Sequence, residues 1–403
     1  MAPPGGIAPQ LSVDALAPPW WHARPPLRRA LARHARALPA TAVAAGICGA
    51  YVALLVAFSH PAVPITADGY GYTGSTALHG LMRWDGAWYA AIAEHGYAPL
   101  TGRYQPYAFL PLFPAVVAAV HALLPFLSIA ATGLSVNIAA ALGAAALLYH
   151  ALPQWTPAKR TAAVALIFTV PSAFFAVTFY TEALFLFATA QVLWAVRDRQ
   201  RVWWAAAGVV IATLDRPIGL LLVVFVIAAV LHDERPRWQR TALLGTCVSG
   251  VLLLAVFYWR VAGDPLAFLT AQNGWSSLRT MGGPAAARWL IVQLNPATAT
   301  NIVVFFGYAE LFVVGLPLLV CIRRDRAAFT YCGLAMLVAF VNGNVGAQSR
   351  YLATLVPLWV GALAVLERRS HRAWSPVVAA ALLAGVACNV WLMSRFASGL
   401  WAG

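Results

Sequence analysis

A chain of 403 residues that is 61% hydrophobic and only 10% charged, with a mean hydropathy of +0.73, lacks the polar surface a soluble domain needs and reads as a polytopic membrane protein. A formal charge of +14 would suit a nucleic-acid partner, but no RNA- or DNA-binding motif accompanies it. The basic residues instead form short clusters between apolar runs, as expected of cytoplasmic loops facing anionic lipid.

Residues 1–38 are rich in Pro and Arg, and Arg24, Arg28, Arg29, Arg33 and Arg36 precede the first apolar run. This predicts a cytoplasmic basic arm ahead of an uncleaved anchor, with no signal peptide. Residues 39–396 read as one transmembrane domain and 397–403 as a tail. With the N-terminus inside, the clusters Lys159/Arg160, Arg197 to Arg201, Arg235 to Arg240, Arg323 to Arg326 and Arg368 to Arg372 all belong to the cytoplasmic face. Outer loops then fall at 59–106 and 261–298, and outer turns at 177–182, 214–217 and 342–350. Asp85, Glu182, Asp215, Asp264, Gln272, Asn273, Asn342, Asn344 and Gln348 all gather on that outer side. Polar groups held at one face of a bundle mark a functional site, because leaving them idle in lipid is costly.

Between an outer Asp85 and an inner Lys159 lie two apolar runs, about 107–126 and 128–150, where parity allows one crossing. The first contains Pro111, Pro114 and Pro125 and is assigned to the membrane boundary. About eleven spans result, with twelve or thirteen as alternatives. The legs flanking VTFYTE and LDRP are too short for a full crossing, so these turns are expected to lie recessed in a cavity suited to a substrate that is part lipid, part sugar.

A helical reading of residues 80–93 puts Trp84, Trp88 and Ile92 on one stripe with Asp85 at its edge, as for a helix lying flat on the interface. Glu94, nine positions beyond Asp85, falls on the opposite face, which argues against a paired-carboxylate hydrolase site on this helix. One base suffices when the leaving group is a phosphate ester. Such a group needs positive charge, which Arg216 and Arg350 can supply through their planar forks, although both can equally brace loops. Glu182 can be a site acid or a helix-start residue favoured by the dipole. His79 and His95 flank Asp85 and can orient it. Trp275 and Trp289 can stack on sugars or serve only as interfacial anchors. Cys48, Cys247, Cys321, Cys332 and Cys388 are scattered singly, and no ligand spacing suggests a metal site, so neither metal nor cofactor is expected.

RWDGAWYAAIAEHGY at 83–97, FLPLFP at 109–114, VPSAFFAVTFYTEALFLF at 170–187, LDRPIG at 214–219, GDPLAFLTAQNGW at 263–275 and SRYLATLVPLW at 349–359 together resemble bacterial relatives of the PIG-V family, the second mannosyltransferases of GPI-anchor assembly. The resemblance implies an all-α GT-C fold and a lipid-phosphate-sugar donor. Position by position it places the catalytic acid at Asp85, the TE pair at Thr181 and Glu182, the Arg of the Arg-Pro turn at Arg216, the loop Gln and Trp at Gln272 and Trp275, and the Arg-Tyr pair at Arg350 and Tyr351. The expected site is therefore Asp85 as the catalytic acid, Arg216, Arg350 and Tyr351 on the donor phosphate, and Trp84, Trp88, His95, Tyr180, Glu182, Gln272 and Trp275 on the substrate. Asp215 departs from the hydroxyl residue common before the Arg in this family, and a carboxylate there can pair with Arg216. The implied reaction is inverting mannosyl transfer to a glycolipid or glycan acceptor outside the bacterial cytoplasmic membrane. The rivals are the same fold with arabinose or glucose, and a transporter of lipid-linked sugars.

Overall fold

The computed structural model describes residues 35–59, 66–67, 70–71, 78–100, 102, 104–196, 201–231, 236–275, 299–341, 347–400 and 402. Most of the basic arm, the part of the expected second outer loop carrying Trp289, the turn with Asn342 and Asn344, and the side chains of His79 and Trp275 lie outside the described residues.

In chain order the helices are α1 (Leu38–Phe58), α2 (Asp85–His95), α3 (Leu112–Leu123), α4 (Ile129–Ala151), α5 (Pro157–Ile167), α6 (Glu182–Ala195), α7 (Val202–Asp215) and α8 (Leu222–Leu231). They continue as α9 (Arg237–Ala262), α10 (Ala267–Gln272), α11 (Ala299–Ala309), α12 (Leu316–Cys321), α13 (Arg326–Val341), α14 (Gln348–Thr354), α15 (Val356–Arg369) and α16 (His371–Ala397). The β-structure among the described residues is one two-residue antiparallel pairing, Thr66–Ala67 with Tyr70–Gly71.

Four helices, α1, α4, α9 and α16, are long and apolar enough to cross a bilayer alone. The pair α14 and α15, bent by 64°, would make a fifth span. Pro357 in the first turn of α15 has no N–H to carry the preceding helix through, which favours the bend at Leu355. Most of the other legs expected from the sequence are shorter apolar helices of 10–17 residues. Helix α3, with 12 residues, rises about 18 Å, well short of a hydrocarbon core.

Helix α6 is the centre of the bundle. It packs on α4, α7, α14 and α15, and only Leu184, Phe187 and Trp194 along it escape full burial. Its polar residues Glu182, Thr189 and Gln191 are all buried, as expected of a helix that faces protein and not lipid. Gly208 of α7 permits the close approach of α6: a Cβ there would come within 2.8 Å of Val192 and 3.0 Å of the Ala188 carbonyl.

Before α6 the chain runs from Thr169 to Thr181 through 3-10 and irregular turns, almost entirely buried. Free backbone groups at such depth must find protein partners, and two amides supply many of them. Asn137 of α4 donates Nδ2 to the Thr178 carbonyl at 2.5 Å and the Tyr180 carbonyl at 3.0 Å. Asn389 of α16 donates to the carbonyls of Thr169 and Val170, both at 2.9 Å, and accepts from the Phe174 N–H at 3.2 Å. Gly385 lets α16 come this near, since a Cβ there would stand 2.0 Å from the Thr169 carbonyl oxygen.

Chain direction separates the two ends of the bundle. Lys159 near the start of α5 pairs with Glu367 near the end of α15 at 2.8 Å, and the cluster at Arg323–Arg326 joins α12 to α13 at that same end. Glu182, Arg216 and Arg350 lie at the opposite helix ends. The Asn389 clamp carries a prediction. Asn389→Leu, which keeps the branched shape but orphans two carbonyls and an N–H, should cost about 1–3 kcal/mol per group not rehydrated. The loss is measured as a lower melting midpoint in detergent, and a midpoint equal to the parent's would show that the clamp is idle.

Candidate active site

At that end of the bundle four segments far apart in the chain converge on one buried carboxylate. Glu182 opens α6 at 3% exposure. Its Oε1 lies 2.5 Å from Arg216 Nη1 and 2.8 Å from Arg350 Nε. Arg350 turns its Nη1 to Asp85 Oδ2 at 3.1 Å. Aromatic rings line both guanidiniums: Phe175 at 4.8 Å and Tyr180 at 4.7 Å from Arg350, Phe185 at 5.7 Å and Tyr351 at 5.4 Å from Arg216. Desolvated contacts of this kind strengthen each cation's hold on its place.

The outlying acid is positioned by its own loop. The expected helix across 80–93 begins only at Asp85; residues His79–Met82 form a 3-10 turn, and Trp84 precedes α2 with φ of 55°. A positive φ is strained for a bulky side chain and persists only where its surroundings impose it. Here they do: the Phe179 N–H donates to the Leu81 carbonyl at 2.8 Å, the Tyr180 hydroxyl donates to the Arg83 carbonyl at 2.8 Å, and Arg83 Nη2 donates to the Ala397 carbonyl at 3.3 Å. Gly86 allows this docking, because a Cβ there would press to 3.1 Å from the Tyr180 ring. Asp85 is left 28% exposed, against 4% for Glu182 and 8% for Arg350 at the side-chain level. It is the cluster's accessible member.

Asp215, which the sequence offered as a partner for Arg216, sits at 1% exposure with neither carboxylate oxygen hydrogen-bonded, while Arg216 pairs with Glu182. The glycine of LDRPIG serves the turn itself: a Cβ on Gly219 would stand 1.9 Å from the Ala212 carbonyl oxygen. Because α2 starts at Asp85, the expected Trp84–Trp88–Ile92 stripe does not form. Trp84 is 42% exposed beside the acid, whereas Trp88 is 3% exposed and stacks on Phe109 at 5.3 Å. His95 closes α2 about 15 Å from Asp85 by helical rise, 3.7 Å from Glu94. Gln272 Nε2 donates to the Ala108 carbonyl at 2.8 Å. Trp275 ends a short 3-10 turn after α10.

Sequence reasoning missed Glu310, 5% exposed in a π-helical turn at Glu310–Gly315, although an acid inside the apolar run FFGYAELFVVG was a signal in itself. It also missed Asn137, Asn389 and the hydroxyl pair Ser172–Ser349, whose Oγ atoms are 2.7 Å apart. Among the described residues no group of three or more His, Cys, Asp or Glu is placed to hold a metal ion.

Residues 57–235 match the family described as Mannosyltransferase (PIG-V). The resemblance carried by the motifs is thereby shown over a segment that includes Asp85, Glu182 and Arg216 and stops short of Arg350. No curated protein matches the chain. Similar solved structures include the Archaeoglobus fulgidus oligosaccharyltransferase complexed with Zn and sulfate, at 14% identity and TM-score 0.40 over 89% of this chain and 53% of that one. They also include the archaeal oligosaccharyltransferase AglB from Archaeoglobus fulgidus with an inhibitory peptide and a dolichol-phosphate, at 14% identity and TM-score 0.41 over 89% of this chain and 56% of that one. The chain thus spans about half the length of these structures.

The shared carboxylate yields a second prediction. Removing one partner of a buried ion pair leaves uncompensated charge and costs about 3–5 kcal/mol. Glu182→Ala takes from Arg216 its carboxylate and from Arg350 the nearer of its two carboxylates, and should melt far below Asp85→Ala, after which Glu182 still holds both guanidiniums. Equal melting midpoints for the two variants would contradict the central place given to Glu182.

Proposed function

We propose that this protein is a GT-C membrane glycosyltransferase that moves a mannosyl residue from a polyprenyl-phosphate donor to an acceptor hydroxyl, with inversion, on the extracytoplasmic face. The observation that carries this reading is the joining of Asp85 to Arg350 and, through Glu182, to Arg216: one accessible carboxylate beside two cations at the same end of a helical bundle.

Asp85 Oδ takes the proton of the acceptor hydroxyl as that oxygen forms a bond to the anomeric carbon. The bond from that carbon to the phosphate oxygen breaks, and the electron pair leaves on the lipid phosphate. Charge therefore grows on the leaving group, where Arg350 or Arg216 stabilises it. Arg350 Nη1 now contacts Asp85. A donor phosphate reaching this guanidinium competes for that contact, so binding of the donor and release of the base are linked. Tyr351, with its ring against Arg216, and the exposed Trp84 stand where a phosphate and a sugar would enter. The family match over residues 57–235 supports mannose as the sugar. The gathering of basic residues at the bundle's other end supports an outward-facing site.

The test incubates purified protein with labelled polyprenyl-phosphate-mannose and a total lipid extract and asks which fraction gains label. Asp85→Asn keeps the shape and removes the basicity; it should lower transfer by about 10²- to 10⁴-fold with an unchanged melting midpoint. Parental rates in that variant remove Asp85 from the chemistry, and no transfer from any lipid-phosphate sugar removes the activity. For the orientation, Trp84→Cys should react with a membrane-impermeant thiol reagent added outside intact cells. Reaction only after the cytoplasm is opened places the site on the other face.

A further inference from the structure

Tyr89 stands one turn beyond Asp85 on α2. Four residues along a helix bring two side chains onto one face, with Cβ atoms about 6 Å apart, so the phenol and the carboxylate serve neighbouring patches of the same surface. The ring itself is fixed. It meets Phe109 edge-on at 5.1 Å, Phe113 at 5.7 Å and Tyr180 at 6.5 Å between centroids, and the residue is 9% exposed. Its hydroxyl hydrogen-bonds to nothing among the described residues, yet it is not sealed from solvent as the Tyr308 and Tyr331 hydroxyls are. A tyrosine this enclosed normally finds a protein partner for its O–H. This one keeps its donor free where the enclosure ends.

Arg216 has donors to spare in the same neighbourhood. It reaches Glu182 through Nη1, while Nε and Nη2 have no acceptor among the described residues and, like the Tyr89 hydroxyl, are not among the sealed atoms. The charges of Asp85 and Arg216 both act on the Tyr89 phenol, which places it within reach of the acid and of the cation. Burial, and after it the charge of Asp85, hold the phenol above its ordinary range. It therefore stays protonated and serves as a donor. Open guanidinium N–H groups together with an open phenolic O–H suit an anion that carries several acceptor oxygens.

We propose that Tyr89 donates a hydrogen bond to the phosphate of the lipid-linked donor and, with Arg216, completes the site that receives the leaving group. No proton is transferred: the phenol keeps its O–H, and the bond strengthens as charge grows on the departing oxygen. The part played in turnover rests on the glycosyl-transfer reading, whereas recognition of a lipid phosphate is measured without any transfer.

The test uses Tyr89→Phe in the full chain. The ring contacts remain and the hydroxyl has no protein partner to lose, so the melting midpoint should equal the parent's. Affinity for polyprenyl phosphate, the leaving group without its sugar, should fall on the order of tenfold. Affinity for the matching polyprenol, which lacks the phosphate, should not change. In the transfer assay kcat/KM should fall by about 10- to 100-fold. A variant that binds polyprenyl phosphate as the parent does overturns the proposal whatever its rate, as does a loss of equal size with the polyprenol, or a parent that does not bind polyprenyl phosphate at all. Weakened binding with a parental kcat/KM overturns the part in turnover. A parent that transfers no sugar while the binding difference persists sinks the activity and leaves the phosphate contact standing.

Discussion

Two arginine side chains buried at 6% and 7% exposure set the constraint on which this end of the bundle depends. A guanidinium stripped of water is costly unless its charge and its N–H donors are met, and Glu182 Oε1 serves both arginines. The start of α6, the turn after α7 and the turn into α14 must therefore meet at one point, whatever the loops between them do. Helix α6 can present that acid because it is the most enclosed helix, and because its N-terminal N–H groups favour a negative charge there.

Holding Glu182 in place requires an unusual stretch of chain before it. Residues 169–181 run buried without regular helix, and each free carbonyl in that run would be costly in an apolar interior. Asn137 and Asn389, from helices on either side, meet several of these carbonyls. The same stretch carries Phe175 and Tyr180 under Arg350 and docks the Asp85 loop through Phe179 and Tyr180. Fold and site thus share parts: the amides fix the stretch, the stretch fixes Glu182 and Asp85, and Glu182 fixes the arginines.

Much of this was legible because charge placement in a membrane protein obeys strong rules. The positive-inside bias put residues 85, 182, 216 and 350 on one side before any contact was known, and the structure brings those four into one cluster. Their mutual pairing was not legible. Periodicity and spacing say which end of a helix a residue occupies, not which of several acids an arginine selects; Asp215, adjacent to Arg216 in the chain, was the natural choice and Glu182 the actual one. The tryptophan stripe failed for a local reason. It assumed a continuous helix through Trp84, whereas docking onto Tyr180 forces a positive φ there and starts the helix one residue later. Glu310, Asn137 and Asn389 went unread because single polar residues in apolar runs give no pattern, only an energetic oddity.

In the proposed reaction, the division of labour between Asp85 and Glu182 follows from their surroundings. Both are carboxylates in contact with Arg350, so composition alone does not say which one is the base. Glu182 is enclosed, holds two guanidiniums at once, and anchors a network whose loss takes a carboxylate from both cations. A group that must gain and lose a proton in every cycle is ill suited to that duty, because each protonation would loosen the arginines the leaving group needs. Asp85 makes one charged contact, at the longest of the three distances, and is the member open to an incoming hydroxyl. Loss of its charge leaves Arg350 still held by Glu182, so the proposed reaction can use Asp85 without dismantling the site.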